Sequence, residues 1–217
     1  MSDYIRETIL NGILETLIMT SAASFLAYIG GLPLGVILYA TGNGGILQNK
    51  PVNAVVSGIV NILRSLPFLI LLVLLIPVTR YIVGSSIGTA ATIVPLTIGA
   101  IPIVARMVEA SLNEVSPGIT EAAVSMGASP LTVITRFIIP EATPSLLMGG
   151  AINVATVLGY SAMAGVIGGG GLGAIAMQYG YYRYQKNVLW VTVALLIIMV
   201  MLIQWLGGLI AKKTRKQ

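Results

Sequence analysis

The chain has 217 residues, of which 56% are hydrophobic and only 9% charged, with a mean hydropathy of +0.94 and a formal net charge of +5. Twelve Lys and Arg and seven Asp and Glu cannot cover the surface of a soluble domain of this length, so the composition indicates an integral membrane protein. Without Cys or His, the sequence excludes thiolate chemistry, Cys/His zinc sites and the usual histidine-dependent nucleophilic triads.

The amino-terminal residues have no excess of positive charge, and no small-residue cleavage pattern follows a short apolar core. We therefore expect an uncleaved first span and no signal peptide. Five apolar segments are long enough to cross a membrane as helices. They cover residues 13–40, 52–78, 86–112, 145–167 and 188–210. These spans predict a single transmembrane domain over residues 1–217.

An odd number of spans puts the two ends of the chain on opposite sides of the membrane. The densest basic cluster, residues 212–216, directly follows the last span, so the positive-inside rule predicts a cytoplasmic carboxyl terminus and an outer amino terminus. An alternative role for this cluster is to anchor lipid headgroups, which also places it inside. The long loop of residues 113–144 is then cytoplasmic.

Glycine and proline are frequent within the spans. Gly31-x-x-x-Gly35 and Gly165-x-x-x-Gly169 have the small-residue spacing that lets two helices approach closely. Ordinary membrane-helix composition accounts for any one of these residues. Together they favour a packed bundle of several helices that moves.

Three charged side chains lie within the predicted spans. Arg64 lies in the second span, and Arg106 and Glu109 share one face of the third, near its cytoplasmic end. An unpaired charge in the bilayer centre costs about 3 kcal/mol, so these groups should face protein or water. We expect Arg64 to pair with Glu109 across the bundle. The alternative, strongest for Arg106, is that the arginines extend to the cytoplasmic interface.

The long loop contains signals for two short helices. Thr120 is placed to cap the first, and Ser129 to cap the second, with Pro130 at its first position and Pro140 at its end. Apolar side chains such as Met126 can enter a groove on a partner protein. The alternative is a helix pair lying on the membrane, which would normally carry more basic residues.

One motif in this loop carries a family resemblance. The run Glu121-Ala122-Ala123-x-x-x-Gly127, followed after nine residues by Phe137-x-Ile139-Pro140, resembles the EAA signature of bacterial ABC importer permeases. That family has Ile where Phe137 stands and Leu where Ile139 stands, and both differences keep an apolar side chain. The resemblance implies that the loop inserts into a cleft on an ATP-binding subunit. The implied coupling residues are Glu121, Ala122, Ala123, Met126, Gly127, Phe137 and Pro140.

Four further runs, residues 61–68, 94–97, 105–109 and 159–165, resemble the methionine importer permeases, and this resemblance covers nearly the whole chain. It implies an all-α integral membrane fold of the type I ABC importer permease kind, with five transmembrane helices and a cytoplasmic coupling-helix loop. It implies a homodimer in the bacterial inner membrane, two ATP-binding subunits, a periplasmic or lipid-anchored substrate-binding protein, surrounding lipid and no nucleic acid. Methionine, in its L- and D-forms, is the implied cargo.

The chain itself is expected to be a transport subunit and not an enzyme. No G-x-x-x-x-G-K-[ST] phosphate-binding loop occurs, so ATP and Mg²⁺ are expected on a partner subunit and no cofactor in this chain. Residues 168–173 satisfy G-x-G-x-x-G but follow a membrane span. We interpret them as a flexible turn, since a dinucleotide site needs a βαβ unit.

The fourth span carries the polar groups expected at mid-membrane depth, and such groups usually face the bundle interior. We predict that Tyr160, Ser161 and Met163 line the substrate pathway, because a hydroxyl can orient a zwitterion while thioether and ring tolerate an apolar side chain. The alternative for Ser161 is a hydrogen bond to its own backbone.

Two other functions stay open at this point. The first is import of another amino acid or small polar solute, since no residue here dictates sulfur. The second is an ion-coupled carrier or channel, which would need intramembrane acids or an inverted repeat. Glu15 and Glu109 are the candidate acids, and no repeat is apparent.

Overall fold

The computed structural model describes the backbone of residues 3–215 and the side chains of residues 4–214. Every regular element in that part of the chain is helical, which confirms the all-α prediction. The α-helices are α1 (Asp3–Thr41), α2 (Lys50–Ser65), α3 (Phe68–Leu74), α4 (Ile76–Val83), α5 (Thr89–Asn113), α6 (Pro117–Ser125), α7 (Pro130–Val133), α8 (Ile139–Ala164), α9 (Gly171–Ile175) and α10 (Lys186–Arg215). Two π turns (Ile134–Ile138 and Ala176–Tyr182) and one 3-10 turn (Gly165–Ile167) join some of them.

Helices α1 and α5 pack closely because glycines leave room between their backbones. A Cβ atom added to Gly31 would lie 2.6 Å from Cβ of Val104, and one added to Gly35 would lie 2.5 Å from Cβ of Val108. Both contacts advance in the same direction along the two chains, so the helices run parallel. The close helix contact predicted at Gly31-x-x-x-Gly35 is confirmed.

Helix α8 runs antiparallel to both, because Gly149 of α8 lies against Met107 of α5 whereas Ser145 lies against Ser111. The Tyr28 hydroxyl of α1 donates to the carbonyl oxygen of Leu146 at 3.2 Å, and the Ser145 hydroxyl donates to that of Ser111 on α5 at 3.0 Å. The bundle therefore has two distinct ends. We call the end that holds residues 168–171 the glycine-rich end and the opposite end, next to α6, the loop end.

The core of the bundle is apolar, and its outer surface is apolar as well. Buried residues of α1, α5 and α8, such as Met19, Leu96 and Val157, form one cluster. In α10, by contrast, no residue of the most apolar 18-residue window is buried. An apolar surface of this extent indicates contact with lipid or with further helices.

Four helical segments are long and apolar enough to cross a membrane: Tyr4–Thr41, Thr89–Asn113, Pro130–Ile167 and Lys186–Thr214. They correspond to the first, third, fourth and fifth predicted spans, although most are longer than predicted. In the described part of the chain the count reaches five only if α2 and α3 together form one further span.

The second predicted span, residues 52–78, is broken into shorter helices in the structure. Helices α2 and α3 meet at an angle of 103°. Leu66 takes the extended conformation, with ψ of 127°, because the Pro67 ring disfavours helical backbone in the preceding residue. The break turns α3 so that Phe68 faces the core of the bundle.

The long loop differs from its prediction at two points. Its first helix, α6, begins at Pro117 after Ser116, so Thr120 lies within the helix and does not cap it. Its second helix does begin as predicted, with Ser129 accepting from the Thr132 amide and Pro130 in first position.

Pro140 does not end that second helix, and this prediction is wrong. The helix continues from Pro130 through the π turn and α8 to Ile167, over 38 residues. The π turn ends at Ile138, two residues before Pro140, and its wider backbone relieves the clash that a proline ring makes in an ordinary α-helix.

Candidate functional site

The signature residues of the long loop lie on α6 and on the turn that ends it. Ala123 is fully buried and belongs to the main apolar core, whereas Glu121, Ala122 and Met126 are exposed. Met126 exposes 71% of its surface although it is apolar. One face of α6 thus packs against the bundle, and the other exposes a carboxylate and apolar side chains on the surface of the chain.

Gly127 ends α6 in a conformation that favours glycine. Its φ is +79°, in the left-handed region. Its amide donates to the Val124 carbonyl at 2.9 Å, and the Ala128 amide donates to the Ala123 carbonyl at 3.1 Å. These two bonds form a Schellman motif, which satisfies the last carbonyls of the helix. The glycine of the signature therefore sets the length and direction of α6.

The second part of the signature lies beside the first. Helix α6 contacts the π turn of residues 134–138, where Phe137 is half-buried against the main core. Pro140 follows on the same continuous helix and is exposed. The fold thus brings Glu121 to Gly127 and Phe137 to Pro140 together at the loop end.

A cleft of about 340 Å³ separates α6 from the turn between α1 and α2. It is lined by Glu121 of α6, by Glu109 and Asn113 of α5, and by residues 42–46 of the turn. Both carboxyl groups thus line one hollow at the loop end.

Arg106 connects α5 to α2 through a polar cluster. Its guanidinium donates to the Glu109 carboxylate at 2.7 Å and to the Asn61 side chain at 2.8 Å, and it also contacts the Ser57 hydroxyl. The side chains of Arg106 and Glu109 are 22% and 21% exposed. Such a pair places two charges in an apolar bundle without leaving either unpaired.

The predicted pair of Arg64 and Glu109 is wrong for the chain described here. Glu109 is bound by Arg106 on its own helix, and Arg64 lies exposed near the end of α2. Spacing along α5 decides the pairing, since residues three apart are neighbours on one helix face. Sequence reasoning missed Ser57 and Asn61, although their spacing of four residues puts both on one face of α2.

Of the predicted pathway residues, Tyr160 and Met163 reach the surface of the chain. The Tyr160 ring stacks on that of Phe68, with centroids 4.3 Å apart and planes 3° from parallel. Met163 is 45% exposed. Phe68 was missed by sequence reasoning, and the Pro67 that directs it was the available signal. The stack links the broken segment α3 to α8.

Ser161 differs from its two neighbours. It is buried, and its hydroxyl donates to the Leu158 carbonyl at 2.7 Å. The hydroxyl therefore bonds to the backbone of its own helix, which is the alternative to pathway lining that the sequence leaves open for Ser161.

Comparison with known proteins adds to this geometry. Residues 31–216 match the family described as "Binding-protein-dependent transport system inner membrane component". The protein named "Probable D-methionine transport system permease protein MetI" of Vibrio cholerae is 50% identical over 199 residues, covering 92% of this chain and 88% of that protein. The "D-methionine transport system permease protein MetI" of Escherichia coli (strain K12) is 48% identical over 165 residues, 76% of each chain.

Solved structures of ABC transporters share the fold. An inward-facing structure of the MetNI methionine ABC transporter has a chain that is 47% identical, with a TM-score of 0.97 and 99% of both chains covered. A chain of an amino acid ABC transporter with histidines is 25% identical, with a TM-score of 0.79, covering 96% of this chain and 94% of that one. Since the family match covers most of the sequence and the relatives are this similar, the chain belongs to the binding-protein-dependent transport system inner membrane components, the permease subunits of ABC transporters.

Proposed function

We propose that this chain is the permease subunit of an ATP-driven importer of methionine in its L- and D-forms. Its similarity to relatives named for D-methionine transport, at 48% and 50% identity, supports this cargo. The chain supplies the path and the coupling surface. A separate subunit binds ATP and Mg²⁺ and hydrolyses the nucleotide, and this chain holds no cofactor.

The working assembly is a homodimer with the path on its two-fold axis. Two ATP-binding subunits dock at the loop end and a substrate-binding protein docks at the glycine-rich end. The loop end and the basic tail face the cytoplasm of a bacterial cell, the amino terminus faces outward, and lipid surrounds the dimer. Exposed apolar residues on α2 and α3, including Val55, Ile59 and Ile70, support a second copy, since one chain leaves them uncovered.

The observation that carries the coupling mechanism is the continuous helix from Pro130 to Ile167. It begins beside α6 and contains Tyr160 and Met163, about 45–50 Å from Pro130 at 1.5 Å per residue. When nucleotide draws the ATP-binding subunits together, α6 moves with them, and this helix carries the movement to the path. Tyr160 and Met163 line that path, and Ser161 supports them from the buried face of the helix.

Uptake in vesicles tests the function. Proteoliposomes that hold the whole complex should take up labelled L-methionine only with ATP. Glu121→Arg should lower that uptake at least tenfold while the complex still assembles, because reversal of an exposed charge at a docking face opposes the partner surface. Glu114→Arg, the same reversal at an exposed site before α6, is the matched control and should stay within twofold of wild type. Uptake without ATP would contradict the proposed function. Uptake of another amino acid but not of methionine would show that methionine is not the substrate.

The path residues are tested in the same vesicles. Tyr160→Ala and Met163→Ala should each lower the maximal uptake rate about fivefold, since each removes a contact of about 1 kcal/mol from the moving substrate. Met148→Ala is the control, because Met148 is exposed to a similar degree on the same helix but nearer the loop end. Normal uptake by both path variants at equal expression would remove these residues from the path.

A further inference from the structure

The glycine-rich loop, residues 168–171, is part of the segment 168–173 that we interpret from the sequence as a flexible turn, and hydrogen bonds reach it from two sides. On one side, the Gly88 amide donates to the Gly168 carbonyl at 2.9 Å, and the Thr92 hydroxyl donates to the Gly169 carbonyl at 3.2 Å. These bonds tie the loop to the start of α5. Glycine composition alone does not make this segment loose.

On the other side, two successive residues of α1 bind the start of α9. The Glu15 carboxylate accepts from the Gly171 amide at 2.6 Å, and the Thr16 hydroxyl accepts from the Leu172 amide at 2.9 Å. Amides at the start of a helix have no partner within it, so these side chains satisfy donors that the fold would otherwise leave open.

The contact between the loop and α1 requires glycine at two positions of the loop. Gly170 and Gly171 have φ of +82° and +72°, and an added Cβ would lie 2.9 Å from the Glu15 carboxylate or 2.6 Å from the Thr16 hydroxyl, respectively. A side chain at either position would strain the backbone and push the loop away from α1. Glycine at these positions lets the backbone of the loop lie close to α1.

A carboxylate at the position of Glu15 is energetically unfavourable unless it is bound, because Glu15 lies on a membrane-crossing helix. The ion pair found among the described side chains joins Arg106 to Glu109, so Glu15 is held by the loop amide and not by a cation. An apolar cluster of Ile9, Leu172, Ile175 and Val188 already packs α9 onto α1 and α10. This cluster keeps α9 in the bundle without the acid, so the acid determines how closely the start of α9 lies against α1.

We infer that Glu15 is a positioning residue for transport: its carboxylate sets the glycine-rich loop on α1 and thereby orients the adjoining end of the pathway helix. Only the 3-10 turn separates Met163 and Ala164 from the loop, so displacement of the loop shifts Met163 and Tyr160. This inference rests on the proposed transport function, and the experiment below separates the two.

Uptake kinetics give the first readout. Glu15→Ala should lower the maximal rate of methionine uptake about tenfold, the factor expected for one lost charge-assisted hydrogen bond, while the concentration of loaded binding protein at half-maximal rate stays unchanged. Glu15→Gln keeps an acceptor oxygen and should recover to within about threefold of wild type. Glu7→Ala is the matched control: Glu7 is an exposed acid of α1 that lines the same cleft, of about 550 Å³, and should behave as wild type.

Thiol labelling gives a second readout that does not depend on cargo. The chain has no cysteine, so A174C places a single thiol at a buried residue of α9 that borders this cleft. A membrane-impermeant maleimide should label A174C slowly in a chain that keeps Glu15. Labelling should be at least fivefold faster when A174C is combined with Glu15→Ala, and slow again when it is combined with Glu15→Gln. Should the alanine variant fail to assemble, Glu15→Asp takes its place, since its shorter side chain keeps the charge but withdraws it from Gly171.

Equal labelling and equal uptake with and without Glu15 would overturn the inference. A loss of uptake that Glu15→Gln does not restore, or that Glu7→Ala shares, would overturn it as well. A wild-type complex that carries no methionine would instead refute the proposed cargo, and the labelling rates would still decide whether Glu15 holds the loop.

Discussion

Arg106→Ala is expected to destabilise the assembled protein, and Glu109→Gln in the same chain should reverse at least half of that loss. Removal of the arginine leaves the Glu109 carboxylate without its cation in an apolar bundle. It also removes the hydrogen-bond donor that Ser57 and Asn61 share. Breaking a buried pair from one side costs about 3–5 kcal/mol. Since about a fifth of each side chain is exposed, we expect about 2 kcal/mol here.

The apparent melting temperature of the detergent-solubilised complex measures this effect. We expect Arg106→Ala to lower it by about 5 °C, and the double variant Arg106→Ala/Glu109→Gln to recover at least half of that. Arg80→Ala removes an exposed arginine at the end of α4 and serves as the control. A double variant no more stable than Arg106→Ala would show that the unpaired carboxylate is not the cause.

Gly35→Leu is expected to prevent assembly of the bundle. A Cβ at this position would lie 2.6 Å from the Ala105 carbonyl oxygen as well as 2.5 Å from Cβ of Val108, and a backbone carbonyl cannot move aside as a side chain can. Helices α1 and α5 would have to separate. The loss exceeds the roughly 1–3 kcal/mol of ordinary overpacking, because the longest shared face in the bundle opens.

Gly208→Leu provides the matched control for Gly35→Leu. Gly208 lies on α10, also a membrane-crossing helix, and a Cβ added there has nothing within 4 Å. The control should give a normal yield of monodisperse complex by size-exclusion chromatography, whereas Gly35→Leu should give less than a tenth of it. Similar yields for the two leucine variants would contradict the close α1 and α5 contact.

Most features that depend on local chemistry were predicted correctly, although Thr120 does not cap α6. The membrane-crossing helices follow from apolar length, because lipid offers no partner for an open backbone. Ser129 and Pro130 start their helix as predicted, since a cap needs only the residues beside it. The signature ending in Gly127 marks a short helix whose closing turn favours glycine.

The predictions that failed concern contacts between elements or the response of the backbone to its surroundings. Arg64 and Glu109 do not pair, because Arg106 is the nearer cation. The helix passes through Pro140 because a π turn precedes it. The bond from the Gly171 amide to Glu15, more than 150 residues away in the chain, was not predicted.

The sequence by itself determined that this chain is an all-helical membrane permease with a signature motif in its long loop, since apolar length and the loop signature are properties of neighbouring residues. Only the tertiary structure decided three other features: the 103° break that stacks Phe68 on Tyr160, the Arg106 cluster between α2 and α5, and the hold of Glu15 on the loop. Each of these depends on which backbone groups and side chains meet across helices. Local spacing such as Gly31-x-x-x-Gly35 indicates that a helix can approach another closely, but which helix it meets is decided by packing and by the need to satisfy buried polar groups.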